Sequence, residues 1–178
     1  MPEVHKHGFS WEKSLLCSVY GAQEGELKGL GYTCKTDLPG SLNRLEPGVG
    51  VSIKTAGLSN AVCMGDCLRV FDSVAAAGQD KLHMTLVHYE QDDAAGVKRL
   101  AAVTEVDLTG SAAALFGGIT RTELEALDRA VKAVPQKRSP TAEEHAAMYA
   151  LRDALLHRCR AIHLDIKCNS QQIGRAHV

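Results

Sequence analysis

The sequence predicts an α/β fold in which a central mixed β-sheet is flanked by helices. Two observations predict it. Segments that alternate residue by residue, at the period of a strand, are interspersed with segments whose apolar residues recur at helical spacing. The chain also has 178 residues, of which 45% are hydrophobic, and this is enough to bury the core of one domain. We expect that domain to span residues 1–172.

The first expected element is a short amphipathic helix over residues 9–21. Ser10 is the type of residue that caps a helix N-terminus, and Gly21 is a typical stop signal. Glu12 would then lie in the first turn of this helix.

Two expected strands follow, and they carry the residues of greatest chemical interest. Residues 31–37 form a strand-like run that ends at Asp37 before a Pro-Gly turn. In residues 50–55 the side chains alternate faces, so Ser52 and Lys54 point one way while the apolar residues between them enter the core. An acid at the end of one strand and a lysine on the next can converge on one point. The same residues are also compatible with a solvated strand face and ordinary turn chemistry.

Residues 60–64 read as a third short strand, and a helix over residues 66–74 follows it. Asp66 stands where an N-cap residue accepts hydrogen bonds from free backbone amides. A metal or water contact is the alternative role for Asp66, and we favour the cap.

Residues 81–89 and 100–108 are expected to form a β-hairpin, joined by a polar stretch. Because side chains alternate along a strand, His83 and His88 fall on opposite faces. The two imidazoles are therefore poor candidates for a shared metal site.

Two packing helices, residues 122–131 and 141–156, precede a last strand over residues 161–168; the second helix begins with a capping-box pattern. This strand carries a second D-x-K sequence, but the nearest upstream acid lies inside a helix rather than at a strand end. The residues to which we assign a supporting or substrate-facing role are Asp165, Lys167 and Gln171.

Four short patterns together resemble the PD-(D/E)XK nuclease superfamily, in particular type II restriction endonuclease-like proteins. They have the forms HGFxWE, DLP…N, VSIKT and GDxxRxF. In this chain they are residues 7–12, Asp37-Leu38-Pro39 with Asn43, residues 51–55 and residues 65–71. The likeness covers most of the chain, and it implies a restriction-endonuclease-like fold.

The resemblance implies Mg²⁺-dependent hydrolysis of a DNA phosphodiester. Asp37 would bind the metal, and Lys54 would orient the attacking water and offset charge on the phosphate. The sequence departs from the family pattern at Ser52, because a serine lacks the anionic oxygen that a hard cation prefers. Glu12, Glu46 or another carboxylate would have to take that role, and we assign it to Glu12; Ser52 would at most hydrogen-bond a bound water.

Two other functions stay open. The first is a nuclease-like domain that binds nucleic acid or a partner protein, with a metal site left incomplete by Ser52. The second is a Cys/His hydrolase, for which the candidate residues are Cys63, Cys67, His83 and His88.

Composition limits the partners. The net charge is −1, so any DNA contact must be a local basic patch rather than a property of the whole surface. The candidate DNA-contact residues are Lys137, Arg138, Lys167 and Gln171. No run of residues is long and apolar enough for a membrane span, and the N-terminus lacks the apolar core of a secretion signal. We expect a cytoplasmic protein, and the resemblance makes a homodimer plausible.

Six cysteines without a secretion signal indicate reduced thiols rather than disulfides. Cys63 and Cys67 form a lone C-x3-C, and zinc is improbable there because no second Cys or His pair has suitable spacing.

Residues 173–178, with the sequence IGRAHV, resemble the translation of a common sequencing adapter. We therefore expect this segment to be a non-native tail that is disordered or loosely docked. The natural domain would then be truncated at its C-terminus.

Overall fold

The computed structural model describes residues 4–30, 36–58, 62–75, 81–135, 138–159, 164–166, 168 and 174–176. For residues 4–10, 164–165 and 174–176 it describes the backbone alone. The helices of this part of the chain are α1 (Val4–Ser18), α2 (Glu24–Lys28), α3 (Cys67–Ala75), α4 (Ala112–Phe116), α5 (Arg121–Lys132) and α6 (Ala142–Leu156). The strands are β1 (Val49–Gly57), β2 (Val62–Gly65), β3 (Lys81–Asp92), β4 (Val97–Asp107), β5 (Leu164–Ile166) and β6 (Gly174–Ala176). The chain divides into two compact units, residues 1–60 with 77–109 and residues 61–76 with 110–178.

The first unit contains a mixed three-stranded sheet flanked by helices, as the sequence predicts, so the α/β class is confirmed. Its strand order is β1-β3-β4. Strand β1 runs parallel to β3, whereas β3 and β4 form the expected antiparallel hairpin. A parallel pair needs a long connection, and residues 58–80, which include β2 and α3, supply it.

The core of the first unit lies between α1 and one face of this sheet. The buried residues that pack together there are Leu16, Tyr20, Ala22, Leu38, Val51, Ile53 and Val87. Val51 and Ile53 are 0% and 4% exposed, while Ser52 and Lys54 between and beyond them are only partly buried. The alternation predicted for this strand is therefore confirmed.

The N-terminal helix differs from the prediction. It begins at Val4, so Ser10 lies within α1 and does not cap it, and Glu12 lies in the middle of the helix rather than in its first turn. No proline interrupts residues 4–9, so the helix can extend past the serine because capping favours a start but does not compel one. Gly21, with a left-handed φ of 74°, follows the helix end closely.

The predicted strand over residues 31–37 falls mainly outside the described residues. Residues 36 and 37 form a bend, and Leu38 makes an isolated antiparallel bridge with Val51. Leu38 donates from its amide to the Val51 carbonyl at 3.0 Å and accepts from the Val51 amide at 2.8 Å. The segment carrying Asp37 is therefore hydrogen-bonded to the outer edge of β1.

The second unit contains α3 to α6 and a small sheet with the strand order β2-β6-β5. The expected start signals are confirmed: Asp66 accepts a hydrogen bond from the Arg69 amide at 3.0 Å, and Thr141 forms a capping box with Glu144 at the start of α6. Helices α2 and α4 were not predicted, since each has only five residues and a short segment gives a weak periodic signal.

The C-terminal segment also differs from the expectation. Residues 174–176 form β6, which pairs with both β2 and β5, whereas a disordered or loosely docked segment was predicted. The non-native origin of residues 173–178 stays a prediction. Within the described ranges, no helix combines the length and apolar character needed to cross a membrane.

Candidate functional site

The carboxylate of Asp37 is the point at which three of the predicted site residues meet. Its Oδ2 atom accepts hydrogen bonds from the Ile53 amide at 2.7 Å and from the Ser52 hydroxyl at 3.1 Å. The Lys54 ammonium lies 3.5 Å from the same oxygen. Among the described residues, no donor reaches the other oxygen, Oδ1.

The backbone explains this convergence. Strand β1 is at the edge of its sheet, so its outward amides are not used by β3. Val51 uses its outward amide in the bridge to Leu38, and Ile53, two residues further on, presents its amide to Asp37. Ser52 and Lys54 then reach the carboxylate from the same face of the strand, with the Lys54 and Asp37 side chains only 25% and 28% exposed.

Glu12 is close enough to this group to respond to its charges. Its half-buried position raises the pKa of the Glu12 carboxyl, and the negative charge of Asp37 raises that pKa further, while Lys54 acts in the opposite direction. The structure therefore places all four predicted catalytic residues in one electrostatic neighbourhood. Two carboxylates and one ammonium leave an excess of negative charge there.

Ser52 has the role of a hydrogen-bond donor in this arrangement. Its hydroxyl is directed to Asp37. Asn43 is 2% exposed and donates to the Val49 carbonyl at 2.9 Å. It also accepts from the Glu46 amide at 2.9 Å, so it holds the turn before β1.

Of the proposed DNA-contact residues, Arg138 lies in the part of the chain that the structure describes. Arg138 is exposed and donates to both carboxylate oxygens of Glu144, at 2.7 and 2.6 Å. Lys137, Lys167 and Gln171 lie outside the described residues, and Asp165 belongs to β5.

A second polar cluster lies on the opposite face of the first sheet. Val51 pairs with His83, so His83 shares the face of Val51 rather than that of Ser52 and Lys54. Atom Nδ1 of His83 is 3.1 Å from Oε1 of Glu105 and 3.6 Å from Oε2 of Glu46. One ligand atom from each of these three residues lies within 4.8 Å of the others.

Two further groups lie beside this cluster. The Tyr20 hydroxyl donates to Oε2 of Glu105 at 2.8 Å and lies 2.5 Å from the buried Thr85 hydroxyl. Burial, together with the neighbouring Glu105, raises the pKa of Tyr20 to about 12. Asp107 approaches the other ring nitrogen of His83, with its Oδ1 atom 3.8 Å from Nε2.

The sequence predicted that His83 and His88 lie on opposite faces of β3, and the register supports this. The contact between Glu105 and His83 was not predicted. The reason is a bulge. Tyr89 pairs with Leu100 whereas His88 pairs with Ala102, so the register skips one residue of β4. Only this shift turns Glu105 and Asp107 to the His83 face, because a slip of one residue reverses the face of every side chain beyond it.

Cys67 is unsuited to be the nucleophile of the alternative Cys/His hydrolase. Cys67 is buried, and desolvation with the nearby Asp66 raises the pKa of its thiol to about 12. A cysteine nucleophile must reach the thiolate form near neutral pH, which Cys67 does not. The described cysteines are free thiols: Cys17, Cys63, Cys67, Cys159 and Cys168.

Comparison with protein-family models, with curated proteins and with solved structures found no match to this chain.

Proposed function

We propose that the protein is a metal-dependent nuclease-like protein that hydrolyses DNA phosphodiester bonds at Glu12, Asp37 and Lys54. The observation that carries the proposal is the convergence of Ser52, Ile53 and Lys54 on one oxygen of Asp37. The parallel β1-β3 pair preceded by α1 also supports a restriction-endonuclease-like fold. DNA as the partner, a homodimeric state and a cytoplasmic location belong to the same proposal.

The donor set fits Mg²⁺. That ion is usually held by one or two carboxylates and keeps several of its waters. Oδ1 of Asp37 has no donor among the described residues. Burial raises the pKa of Glu12, the negative charge of Asp37 raises it further, and a bound cation would offset that charge. Asp37 and Glu12 would hold the ion, which when bound supplies Lewis-acid polarisation and a more acidic water.

Residues of the chain would orient the metal ligand and stabilise charge on the phosphate. The bonds from Ile53 and Ser52 fix the orientation of the Asp37 carboxylate, so that its ligand oxygen needs no reorganisation. Lys54 would orient a water and stabilise negative charge that develops on the phosphate oxygens. Its partly shielded position strengthens this interaction relative to bulk water.

Ser52 favours a second candidate function, a catalytically impaired nuclease-like domain that binds nucleic acid or a partner protein. Its hydroxyl donates to Asp37 and adds no negative charge to the site. Under this alternative the geometry of the site persists but its affinity for the metal is too low for efficient cleavage.

Cleavage of supercoiled plasmid DNA, titrated with Mg²⁺ and with Mn²⁺, tests the proposal. We expect weak cleavage by the wild-type chain and greater cleavage by Ser52→Asp or Ser52→Glu, which restore the missing carboxylate. Ser41→Glu is the matched control, because Ser41 is exposed in the same unit and the change adds the same charge away from the site. Asp37→Asn should abolish cleavage.

Lys54→Met should lower the turnover rate by about 100-fold, the usual effect of removing one group that stabilises transition-state charge. Lys81→Met, which removes an exposed lysine from β3, is its control. If the wild-type chain and both Ser52 variants fold normally but cleave no DNA with either metal ion, the nuclease proposal is wrong. DNA binding that persists in those variants would support the binding domain.

A further inference from the structure

We propose that Glu46, His83 and Glu105 form a zinc-binding site on the face of the sheet opposite to the Ser52 and Lys54 side chains. The ligand would be a divalent cation of intermediate softness, bound through one imidazole nitrogen and two carboxylates, with an open coordination position. This site is separate from the proposed nuclease centre, because it shares no residue with that centre.

The distances between the three side chains suit a single ion. Zinc binds histidine nitrogen and carboxylate oxygen at about 2.0–2.2 Å with tetrahedral angles, so two of its ligand atoms lie about 3.3–3.5 Å apart. The separations from Nδ1 of His83 are 3.1 Å to Glu105 and 3.6 Å to Glu46. Small adjustments of these side chains would bring all three atoms to bonding distance.

The surroundings of the ligands also match those of a metal site. Ligating carboxylates are commonly oriented by a hydrogen bond to their second oxygen, and ligating imidazoles by a carboxylate at their other nitrogen. Tyr20 occupies the second oxygen of Glu105, which leaves Oε1 directed to His83. Asp107 lies 3.8 Å from Nε2 of His83, where a small shift would give the second interaction.

The type of cation follows from the charge and the ligand atoms. Three carboxylates surround one histidine, so the cluster carries more negative charge than a protonated imidazole can balance. A divalent cation bound at Nδ1 would supply that balance. Imidazole favours zinc and other transition metals over Mg²⁺ and Ca²⁺, which prefer oxygen alone.

The cluster is also partly preorganised. The side chain of His83 is only 12% exposed, whereas those of Glu46 and Glu105 are 47% and 42% exposed. The imidazole is thus held within the sheet surface, and the two carboxylates border the solvent from which an ion would enter.

Titration of the metal-free full chain with ZnCl₂, without nucleic acid, tests the site. Calorimetry and metal analysis after dialysis should both give one zinc per chain, and His83→Gln should weaken binding by at least about 10-fold, since it removes the nitrogen ligand. The matched control is His88→Gln, which changes the same residue type on the other face of β3 and should leave binding unchanged.

A second variant covers the case in which His83→Gln does not fold. Glu105→Gln keeps an oxygen acceptor for Tyr20 but removes the charge, so it should also weaken zinc binding, whereas Glu90→Gln on the exposed end of β3 should not. Cobalt substitution gives an independent reading, because a nitrogen and oxygen site lacks the sulfur-to-cobalt absorption band that cysteine ligands produce.

Binding of one zinc that depends on His83 and Glu105, without the sulfur band, would support the site. Absence of zinc binding, or binding of equal strength in the variants, would overturn it. Asp37→Asn should bind zinc as the wild type does, so failure of the zinc site and failure of the proposed nuclease can be distinguished.

Discussion

Replacing Tyr20 with phenylalanine should destabilise the protein by about 2 kcal/mol. The hydroxyl of Tyr20 is the described partner of the Thr85 hydroxyl, and the two side chains belong to residues that are only 4% and 2% exposed. A buried polar group that loses its partner costs about 1–3 kcal/mol. The second acceptor, Glu105, is 42% exposed, so water can replace the lost bond there and little is added.

The effect can be measured by denaturant unfolding in the presence of EDTA, which removes any contribution from bound metal. For a chain of this length, about 2 kcal/mol corresponds to a fall in melting temperature of about 4–8 °C. The control is Tyr89→Phe, since the Tyr89 hydroxyl makes no hydrogen bond among the described residues. The Tyr89 ring contacts Trp11, at 5.4 Å between centroids, and that contact is kept.

A double-mutant cycle identifies the interaction. Thr85→Val with Tyr20→Phe removes both hydroxyls, and replacing both partners by apolar groups leaves no unsatisfied donor or acceptor. We expect the second substitution to cost less in the Tyr20→Phe background than alone, with a coupling of about 1 kcal/mol. The reasoning is refuted if Tyr20→Phe and Tyr89→Phe differ by less than about 0.5 kcal/mol, the usual scatter of surface substitutions.

Three further predictions follow from pKa shifts and capping. The folded-state pKa of Glu12 lies above its unfolded value of 4.5, so the native state binds more protons and the free energy of unfolding falls as pH rises through the folded-state pKa. Glu12→Gln should therefore raise the free energy of unfolding at neutral pH but not below pH 4.5. Equal gains at the two pH values would contradict this prediction. The pKa of Tyr20 is raised from 10.0 in the unfolded chain to about 12 in the native state. The stability that protonated Tyr20 contributes is therefore fully present below pH 10.0 and should be lost as pH rises to about 12. Absorbance of tyrosinate should show a late titration that Tyr20→Phe removes, and an unchanged curve would count against the assignment. Thr141→Ala removes the N-cap of α6 and should cost about 1 kcal/mol in denaturant unfolding, whereas Ser139→Ala, two residues earlier, should cost much less.

The sequence by itself determined the alternation of β1 and the start of α6. The alternation in β1 predicted that Ser52 and Lys54 share one face and that Val51 and Ile53 are buried, because side chains on a strand must point to alternate sides. The start of α6 was predicted from its capping box for a similar reason, since the groups that satisfy the first free amides lie three residues apart.

Only the tertiary structure decided where distant side chains meet. Asp37 reaches β1 because the Leu38 bridge aligns the two segments, and no periodicity within either segment specifies that alignment. The beginning of α1 was likewise misjudged, since a favourable N-cap at Ser10 competes with helix extension and the full chain decides between them.

The cluster at His83 shows the same limit most clearly. The hairpin was predicted, yet the residue skipped in β4 between Leu100 and Ala102 could not be, because a bulge depends on how the twisted strands pack and not on the pattern of either strand. Without that skip, His83 would face Val106 instead of Asp107, and Glu105 would lie on the other side of the sheet. Local periodicity therefore assigns side chains to the two faces of each strand, whereas the register between strands, which is set by packing and backbone hydrogen bonds over the whole sheet, decides which side chains meet.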